Sequence, residues 1–275
     1  MTDIAVLNPN RALWEKGDFT RIAETMRQSG QEFVDTLGIR PGMKVLDLGS
    51  GDGTTAVPAA EYGAIVLGID IAENLVAGGN ARADLAGLDN LHFQQGDASS
   101  LVELEDESFG LVVSIFGAMF APRPDDVAKE MVRVTRPGGR IVMGNWIPGD
   151  PSLVAQILKI SAAYTLPPAA DFVSPMTWGD EATVRQRFAA AGIDEECISF
   201  ERNSWFFRDD GPPDHLFETF RDYYGPTMNA FEAAGKDGRA DQLEQELRAL
   251  FAAQNQGRKS TEIPATFLKV TVEKR

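Results

Sequence analysis

Cysteine and histidine are scarce in this chain: among its 275 residues, one is cysteine and two are histidine. The lone cysteine, Cys197, excludes a disulfide framework within the chain, so we expect a reducing compartment. No cluster of cysteine and histidine has the spacing of metal ligands, so we expect no metal site.

Basic residues and long apolar runs are also scarce. Lysine and arginine number 26 against 41 acidic residues, which gives a formal net charge of -15. Such a surface repels a phosphate backbone, so we expect no nucleic-acid partner. The longest nearly apolar run, residues 110–121, is too short to span a bilayer. The first residues lack the pattern of a secretory signal, and we therefore expect a cytoplasmic protein.

Strand and helix patterns alternate from about residue 43 to residue 147. This alternation predicts a parallel sheet with helices on both faces. Helices are predicted at 54–63, at 72–86 and from Pro124 to a stop at 137–139. The predicted strands are 43–49, 64–70, 91–97, 111–116 and 140–146.

The flanking segments are less regular. We expect strands at 197–207 and 265–274, and helices at 178–192, 212–226 and 240–254. Residues 1–40 are predicted to form an N-terminal cap of one or two helices, ahead of a single domain at 41–275. Within that domain, 41–148 would form a ligand-binding core, with helical insertions at about 150–196 and 211–260.

The most informative segment is the run from Asp47 to Gly53. A buried strand leads into glycines at 49, 51 and 53, and a helix follows. Glycine lets the backbone approach a ligand closely, and a helix N-terminus offers free N–H groups. Asp47 at the strand end could hold a cationic amino group. Asp70 ends the next strand, where an acid can accept hydrogen bonds from two ribose hydroxyls.

The loop differs from the dinucleotide fingerprint G-x-G-x-x-G, because one glycine comes a place early and Thr54 takes the final position. A charged Asp52 inside the loop would also repel a pyrophosphate. A ligand with an ammonium and a carboxylate suits the loop better than a nicotinamide or flavin dinucleotide. Two alternatives stay open: a nicotinamide-dependent oxidoreductase, and a binding protein without catalysis.

Two further signals lie on either side of the fourth strand. The third strand ends in Gly96-Asp97-Ala98, and Arg136 to Gly139 precede the fifth. Together with Asp47–Gly53 and Asp70, they resemble the class I S-adenosylmethionine-dependent methyltransferases. The pattern at 114–120, with that at 133–139, resembles the branch typified by the ubiquinone and menaquinone biosynthesis C-methyltransferases. The resemblance covers roughly residues 40–148.

The resemblance implies a Rossmann-like, doubly wound α/β fold with a seven-stranded sheet, mostly parallel with a reversed C-terminal hairpin, plus helical lid elements. It implies S-adenosylmethionine as donor and S-adenosylhomocysteine as product. By that analogy Asp70 holds the ribose, Ile71 flanks the adenine, and Asp97 with Ala98 meets the adenine edge. The full set of predicted donor-binding residues is Asp47, Gly49, Ser50, Gly51, Gly53, Asp70, Ile71, Asp97, Ala98 and Ser114.

The predicted reaction is in-line methyl transfer to a small organic molecule, which needs no metal. A general base helps only where the acceptor carries a proton at neutral pH. His215 is the candidate base, and its alternative interpretation is a surface helix residue. The acceptor, the atom methylated and the oligomeric state are not readable from the sequence. The candidate acceptor-pocket residues are Trp14, Phe19, Phe116, Trp146, Phe220 and Tyr223.

Overall fold

A single mixed sheet forms the centre of the protein. The computed structural model describes residues 10–169 and 172–275. Within them, seven strands follow the order β3-β2-β1-β4-β5-β7-β6. The first five run parallel, and β7 lies antiparallel between β5 and β6. The strands are β1 Lys44–Leu48, β2 Ile65–Asp70, β3 Leu91–Gln95, β4 Phe109–Ile115, β5 Thr135–Trp146, β6 Ile198–Asp209 and β7 Thr261–Glu273. The predicted sheet with a reversed C-terminal hairpin is confirmed.

Helices pack around this sheet and at its carboxyl edge. They are α1 Arg11–Glu15, α2 Phe19–Glu24, α3 Arg27–Asp35, α4 Ala56–Glu61, α5 Glu73–Ala86, α6 Pro124–Val134, α7 Leu153–Ala162, α8 Glu181–Ala190, α9 Pro213–Tyr223, α10 Gly225–Lys236 and α11 Ala240–Gln254. In the part of the chain that the structure describes, none of the helices has the length and apolar character to cross a membrane.

The central strands are buried on both faces. Leu46 on β1 and Leu111 and Val112 on β4 have no exposed surface. Near-continuous apolar runs are the pattern of parallel strands covered by helices on each side. The sheet therefore forms a rigid core, and its carboxyl edge can present loops in fixed positions.

Several helix boundaries differ from the prediction. The helix predicted to reach residue 137 ends at Val134, because Thr135 is already extended and begins β5. The helix predicted at 212–226 ends at Tyr223, and α10 begins at Gly225. Pro226 explains this break, since proline cannot continue a helix but suits the first turn of a new one.

Among the other helices, some bounds differ from the prediction. The helix predicted to begin at Trp178 begins at Glu181, and Trp178 itself lies in a 3₁₀ turn, Pro175–Gly179. Asp180 caps α8, because its side chain accepts a hydrogen bond from the Thr183 N–H. Helix α7 falls within the helical insertion expected at about 150–196, where no separate helix bounds were predicted. Pro58 falls in the first turn of α4, where a missing N–H is tolerated. The helix predicted at 240–254 is found there as α11.

The segment predicted as an N-terminal cap contains three helices among its described residues, instead of one or two. Helix α1 contacts α5 and α10, while α2 contacts α5 and α9. These contacts hold the segment over the carboxyl edge of the sheet. The division into a cap at 1–40 and a domain at 41–275 stays a proposal.

Candidate functional site

A cavity opens at the carboxyl ends of β1, β2 and β4, beneath α1 and α2. The space in and in front of it, open solvent at the mouth included, measures about 920 Å³. One part, the loop end, is lined by Gly49, Ser50, Gly51, Asp52, Thr54, Thr55, Ile69, Asp70, Ile71, Leu75, Gly96 and Ala98. The other part, the aromatic end, is lined by Asn10, Trp14, Phe19, Ala23, Met26, Phe116, Phe120, Ala121 and Trp205. Carboxyl edges of such sheets are where open α/β folds bind ligands.

The glycine-rich loop needs its glycines for two different reasons. Gly49 has φ +65°, and a Cβ there would lie 2.5 Å from the Cα of Gly117, so only glycine fits. Gly51 has φ +55°, but a Cβ there would meet nothing within 4 Å. Its open face belongs to the cavity, which leaves room for a ligand to contact the main chain. Gly53 is also left-handed and packs against Phe93 outside the cavity lining.

Asp70 fixes the loop and keeps capacity for a ligand. Its Oδ2 accepts from the Gly51 N–H at 2.8 Å, and its Oδ1 accepts from the Ala72 N–H at 2.9 Å. Burial raises the pKa of Asp70 above its ordinary value. A carboxylate has about four acceptor positions, so each oxygen can accept one more hydrogen bond. Because Asp70 lines the cavity, a vicinal diol is a suitable partner for it.

Asp52 carries no free negative charge into the loop, which corrects the expectation from sequence. Its side chain is 4% exposed and forms an ion pair with the Arg27 guanidinium of α3. The Arg82 Nη1 lies 3.9 Å from its other carboxyl oxygen and donates to its backbone carbonyl at 2.5 Å. Two cations therefore balance this acid. The case against a pyrophosphate ligand then depends on glycine spacing alone.

Asp47 lies behind the loop, away from the cavity lining. Burial raises the pKa of Asp47 to about 8, and the nearby charge of Asp70 adds to the shift. Its Oδ2 has no hydrogen-bond partner among the described residues. This carboxyl therefore holds its proton to higher pH than an ordinary aspartate does, and it is not among the residues that line the cavity.

Asp97 and Ser114 also stand behind the cavity wall. The Oδ1 of Asp97 accepts from the N–H and hydroxyl of Ser99, and Arg123 approaches its other oxygen at 4.0 Å. Its neighbours Gly96 and Ala98 line the cavity. The Ser114 hydroxyl donates to the Leu48 carbonyl at 2.6 Å and accepts from the Ala118 N–H at 2.9 Å. Ser114 thus ties the turn after β4 to the end of β1.

Phe116 dominates the aromatic end. It has φ +62°, a left-handed conformation that is rare for a bulky residue, and residues strained in this way cluster at functional sites. Its ring stacks on Trp146 with centroids 3.6 Å apart, and Trp205 meets it edge-on at 5.1 Å. Trp14 packs edge-on against Phe120 at 4.9 Å on the side of α1. These rings give that end of the cavity flat, apolar walls.

Only part of the predicted acceptor pocket comes together. Trp14, Phe19 and Phe116 line the cavity. Trp146 supports Phe116 without being a lining residue, and Phe220 is buried against Phe207 and Phe251.

The structure does not bring His215 to the cavity, which corrects its candidacy as a base. Its side chain is 61% exposed, and its Nδ1 lies 2.8 Å from the Asp209 Oδ1. This pairing raises the pKa of His215. Tyr223 lies with it in a separate polar surface groove. No group of three metal-ligating side chains occurs among residues 10–169 and 172–275.

Met26 and Trp205 line the aromatic end and were not predicted from the sequence. Trp205 lies on a strand that was predicted, but its position depends on β6 pairing with β7 at the far side of the sheet. Met26 lies between α2 and α3. Neither residue stands in a motif, so only the tertiary structure reveals them.

Comparison with known proteins matches the chain to one family. A family described as "Methyltransferase domain" matches residues 46–143. An uncharacterised protein of Mycobacterium tuberculosis is 36% identical over 227 residues, covering 82% of this chain and 80% of the relative. A demethylmenaquinone methyltransferase of Beutenbergia cavernae is 39% identical over 113 residues, covering 41% of this chain and 45% of the relative.

Solved structures share the fold. The YcgJ protein of Bacillus subtilis has a TM-score of 0.59 at 19% identity, covering 90% of this chain and 99% of that one. Phosphoethanolamine N-methyltransferase 2 of Haemonchus contortus, in complex with S-adenosyl-L-methionine, has a TM-score of 0.60 at 15% identity, covering 98% of this chain and 60% of that one. The matches support neither an oxidoreductase nor a protein without catalysis.

Proposed function

The chain belongs to the class I S-adenosylmethionine-dependent methyltransferases, and on that premise we propose that it methylates a small, flat, mainly apolar organic molecule bound at the aromatic end of the cavity. The observation that carries this proposal is the continuity of one cavity from the glycine-rich loop to a group of aromatic walls. Pockets for small molecules are typically apolar with a few polar groups.

We assign the donor to the loop end. The open face of Gly51 suits close contact with the aminoacyl part, and Asp70 has acceptor capacity for both ribose hydroxyls. Ile71, Leu75 and Ala98 offer apolar surface for the adenine. When bound, the donor supplies a methyl carbon that bonds to the acceptor's nucleophilic atom while its bond to sulfur breaks, the electron pair staying on sulfur.

The contribution of the chain to this reaction is orientation and exclusion of water. Alignment of two reactants in one site can supply roughly 7–11 kcal/mol of the barrier in favourable cases. Helices α1 and α2 cover the aromatic end, where Trp14 and Phe19 pack edge-on with ring centroids 5.7 Å apart. The cover suits a small acceptor better than a folded macromolecule.

The ionisable side chains of the cavity lining restrict the class of acceptor further. Among the described lining residues, the ionisable ones are Asp52 and Asp70, both at the loop end. The aromatic end therefore offers no ionisable side chain as a general base, so a phenolic acceptor would react as its phenolate, after its proton has passed to water. The demethylmenaquinone methyltransferase name of one relative is consistent with an aromatic acceptor. The buried, unpaired Cys197 suits a reducing compartment such as the cytoplasm.

Trial acceptors test this proposal. The purified protein with S-adenosylmethionine is incubated with 1-naphthol, catechol or, as a polar control, phosphoethanolamine, and S-adenosylhomocysteine is quantified by mass spectrometry. We expect product with at least one aromatic compound and none above background with the polar one. Methylation of phosphoethanolamine alone, or of no compound by a protein that binds S-adenosylhomocysteine, would contradict the aromatic acceptor class.

A further inference from the structure

Trp205 lines the aromatic end and carries an indole N–H that is unpartnered among the described residues. Its side chain lines the cavity, yet the residue is only 1% exposed. The indole Nε1 is shielded from solvent and has no hydrogen-bond partner among the described residues. The ring is held edge-on against Phe116 at 5.1 Å and against Phe267 at 6.1 Å.

An indole N–H in this state has an energetic cost. Buried donors are nearly always paired, and one left unpaired loses the hydrogen bond it makes to water in the unfolded chain. A phenylalanine among Phe33, Phe116 and Phe267 would leave no donor unpaired, although its smaller ring would fill less of the space. The tryptophan is therefore explained if its N–H finds a partner in a bound molecule.

The other polar group at this end is already engaged. The Asn10 amide nitrogen donates to the Phe120 carbonyl at 2.5 Å. The remaining side chains named as the aromatic end are aromatic or aliphatic. Met26 lies in the same wall, and its flexible thioether chain is suited to giving way when a ligand enters.

We propose that Trp205 is a positioning residue whose Nε1–H donates to an oxygen of the acceptor, which makes the acceptor a flat apolar molecule carrying a hydroxyl, phenolate or carbonyl group. This inference rests on the proposed function and specifies its substrate class. The aromatic walls select the planar skeleton, and the single N–H fixes the skeleton's rotation in its plane.

Matched ligands test the role of the N–H. Calorimetry with the protein saturated in S-adenosylhomocysteine compares 1-naphthol with 1-methylnaphthalene, in which a methyl group replaces the hydroxyl. We expect 1-naphthol to bind about 3- to 10-fold more tightly, the range for one neutral hydrogen bond. Trp205→Phe should abolish this preference, so that 1-naphthol and 1-methylnaphthalene bind equally tightly to the variant.

Trp178→Phe is the matched control. Trp178 has no exposed surface and its Nε1 is equally unpartnered among the described residues, but it does not line the cavity. The preference for 1-naphthol should survive in this variant. Equal affinity of the wild-type protein for both compounds, or equal loss of preference in both variants, would overturn the proposal.

A second measurement covers the case in which Trp205→Phe does not fold. The chain has four tryptophans. Their ¹⁵N-labelled indole signals are assigned by elimination with Trp14→Phe, Trp146→Phe and Trp178→Phe. The Trp205 signal should move downfield with 1-naphthol and not with 1-methylnaphthalene, and its failure to move would refute the contact. If S-adenosylhomocysteine itself does not bind, the proposed function fails instead.

Discussion

The Arg27 guanidinium of α3 forms an ion pair with the buried carboxylate of Asp52 in the glycine-rich loop. The same side chain donates from Nη1 to the Thr54 hydroxyl at 2.5 Å. Arg27 therefore joins the N-terminal helices to the loop that we assign to the donor. Their positions are coupled by one side chain.

Arg27→Met should destabilise the protein by about 1–3 kcal/mol. Loss of one partner of a buried pair typically costs about 3–5 kcal/mol, and Arg82 near Asp52 offsets part of this cost. Urea unfolding followed by circular dichroism measures the change. Arg21→Met is the control, because its pairs with Asp18 and Glu24 are exposed and contribute little. Equal effects of the two substitutions would show that the buried pair adds no more to the free energy of unfolding than an exposed pair does.

Asp70→Ala should weaken binding of S-adenosylhomocysteine by about 1.5–3 kcal/mol, the range for hydrogen bonds to a charged group. The substitution removes the proposed ribose contact and also frees the Gly51 N–H that shapes the loop. Isothermal titration calorimetry measures the affinity, with the exposed Asp89→Ala as control. An unchanged affinity would remove Asp70 from the donor site.

Comparing Gly51→Ala with Gly138→Ala separates the effect of backbone strain on stability from the effect of an added Cβ on donor binding. Both glycines are left-handed, and a Cβ on either would meet nothing within 4 Å. Each variant should lose about 1–2 kcal/mol of stability, because a Cβ disfavours this conformation. Only Gly51→Ala should also weaken the binding of S-adenosylhomocysteine, since Gly51 lines the cavity and Gly138 does not. Equal donor affinity in the two variants would contradict the assigned role of the loop.

The raised pKa of Asp47 should make the free energy of unfolding depend on pH. Its pKa is near 3.8 in the unfolded chain and about 8 when folded, so between these values the folded state holds the extra proton. This contribution is fully present below the unfolded pKa and is lost as pH rises through the folded pKa. The slope reaches at most about 1.4 kcal/mol per pH unit.

Asp47→Asn removes the carboxyl group whose titration causes this pH dependence. Urea unfolding of the variant and the wild type at pH 5 and pH 8 should show a smaller loss of stability in the variant as pH rises. Exposed Asp84→Asn is the control and should follow the wild type. Parallel pH profiles for Asp47→Asn and the wild type would show that Asp47 keeps an ordinary pKa in the folded protein.

The position of the glycine-rich loop was predictable because its information is local, but Asp47, Gly53, Asp97 and Ser114, predicted with it, lie outside the cavity lining. Gly49, Gly51 and Asp70 stand at fixed distances from strand ends, and a strand followed by a glycine turn fixes their neighbourhood. The alternation of strands and helices fixed the parallel half of the sheet in the same way. The expectation that Asp52 brings an unbalanced negative charge into the loop was wrong. Arg27 and Arg82 balance that charge, and they come from helices that no motif connects to Asp52.

The aromatic end was less predictable because it is assembled from distant segments. Trp205 reaches the cavity through the strand order β5-β7-β6, which is not sequential. Phe220 and Tyr223 lie on one helix, but the face that packs inward depends on contacts with Phe207 and Phe251. His215 illustrates the same difficulty, because aromatic-rich sequence around it did not reveal that its own side chain faces solvent.

Donor binding should slow hydrogen exchange in α1 and α2 more than in α11. Trp14 and Phe19 contribute to the cavity from this segment, and Arg11 of α1 pairs with Glu73 at the start of α5, 3.3 Å away. Exchange in short helices reports local opening, which a ligand bound to the closed form suppresses. Mass spectrometry of peptides covering 11–24 and 240–254, with and without S-adenosylhomocysteine, measures the difference. Because α11 contributes no residue to the cavity, equal protection of both peptides would indicate global stabilisation and argue against a cover closed by these two helices.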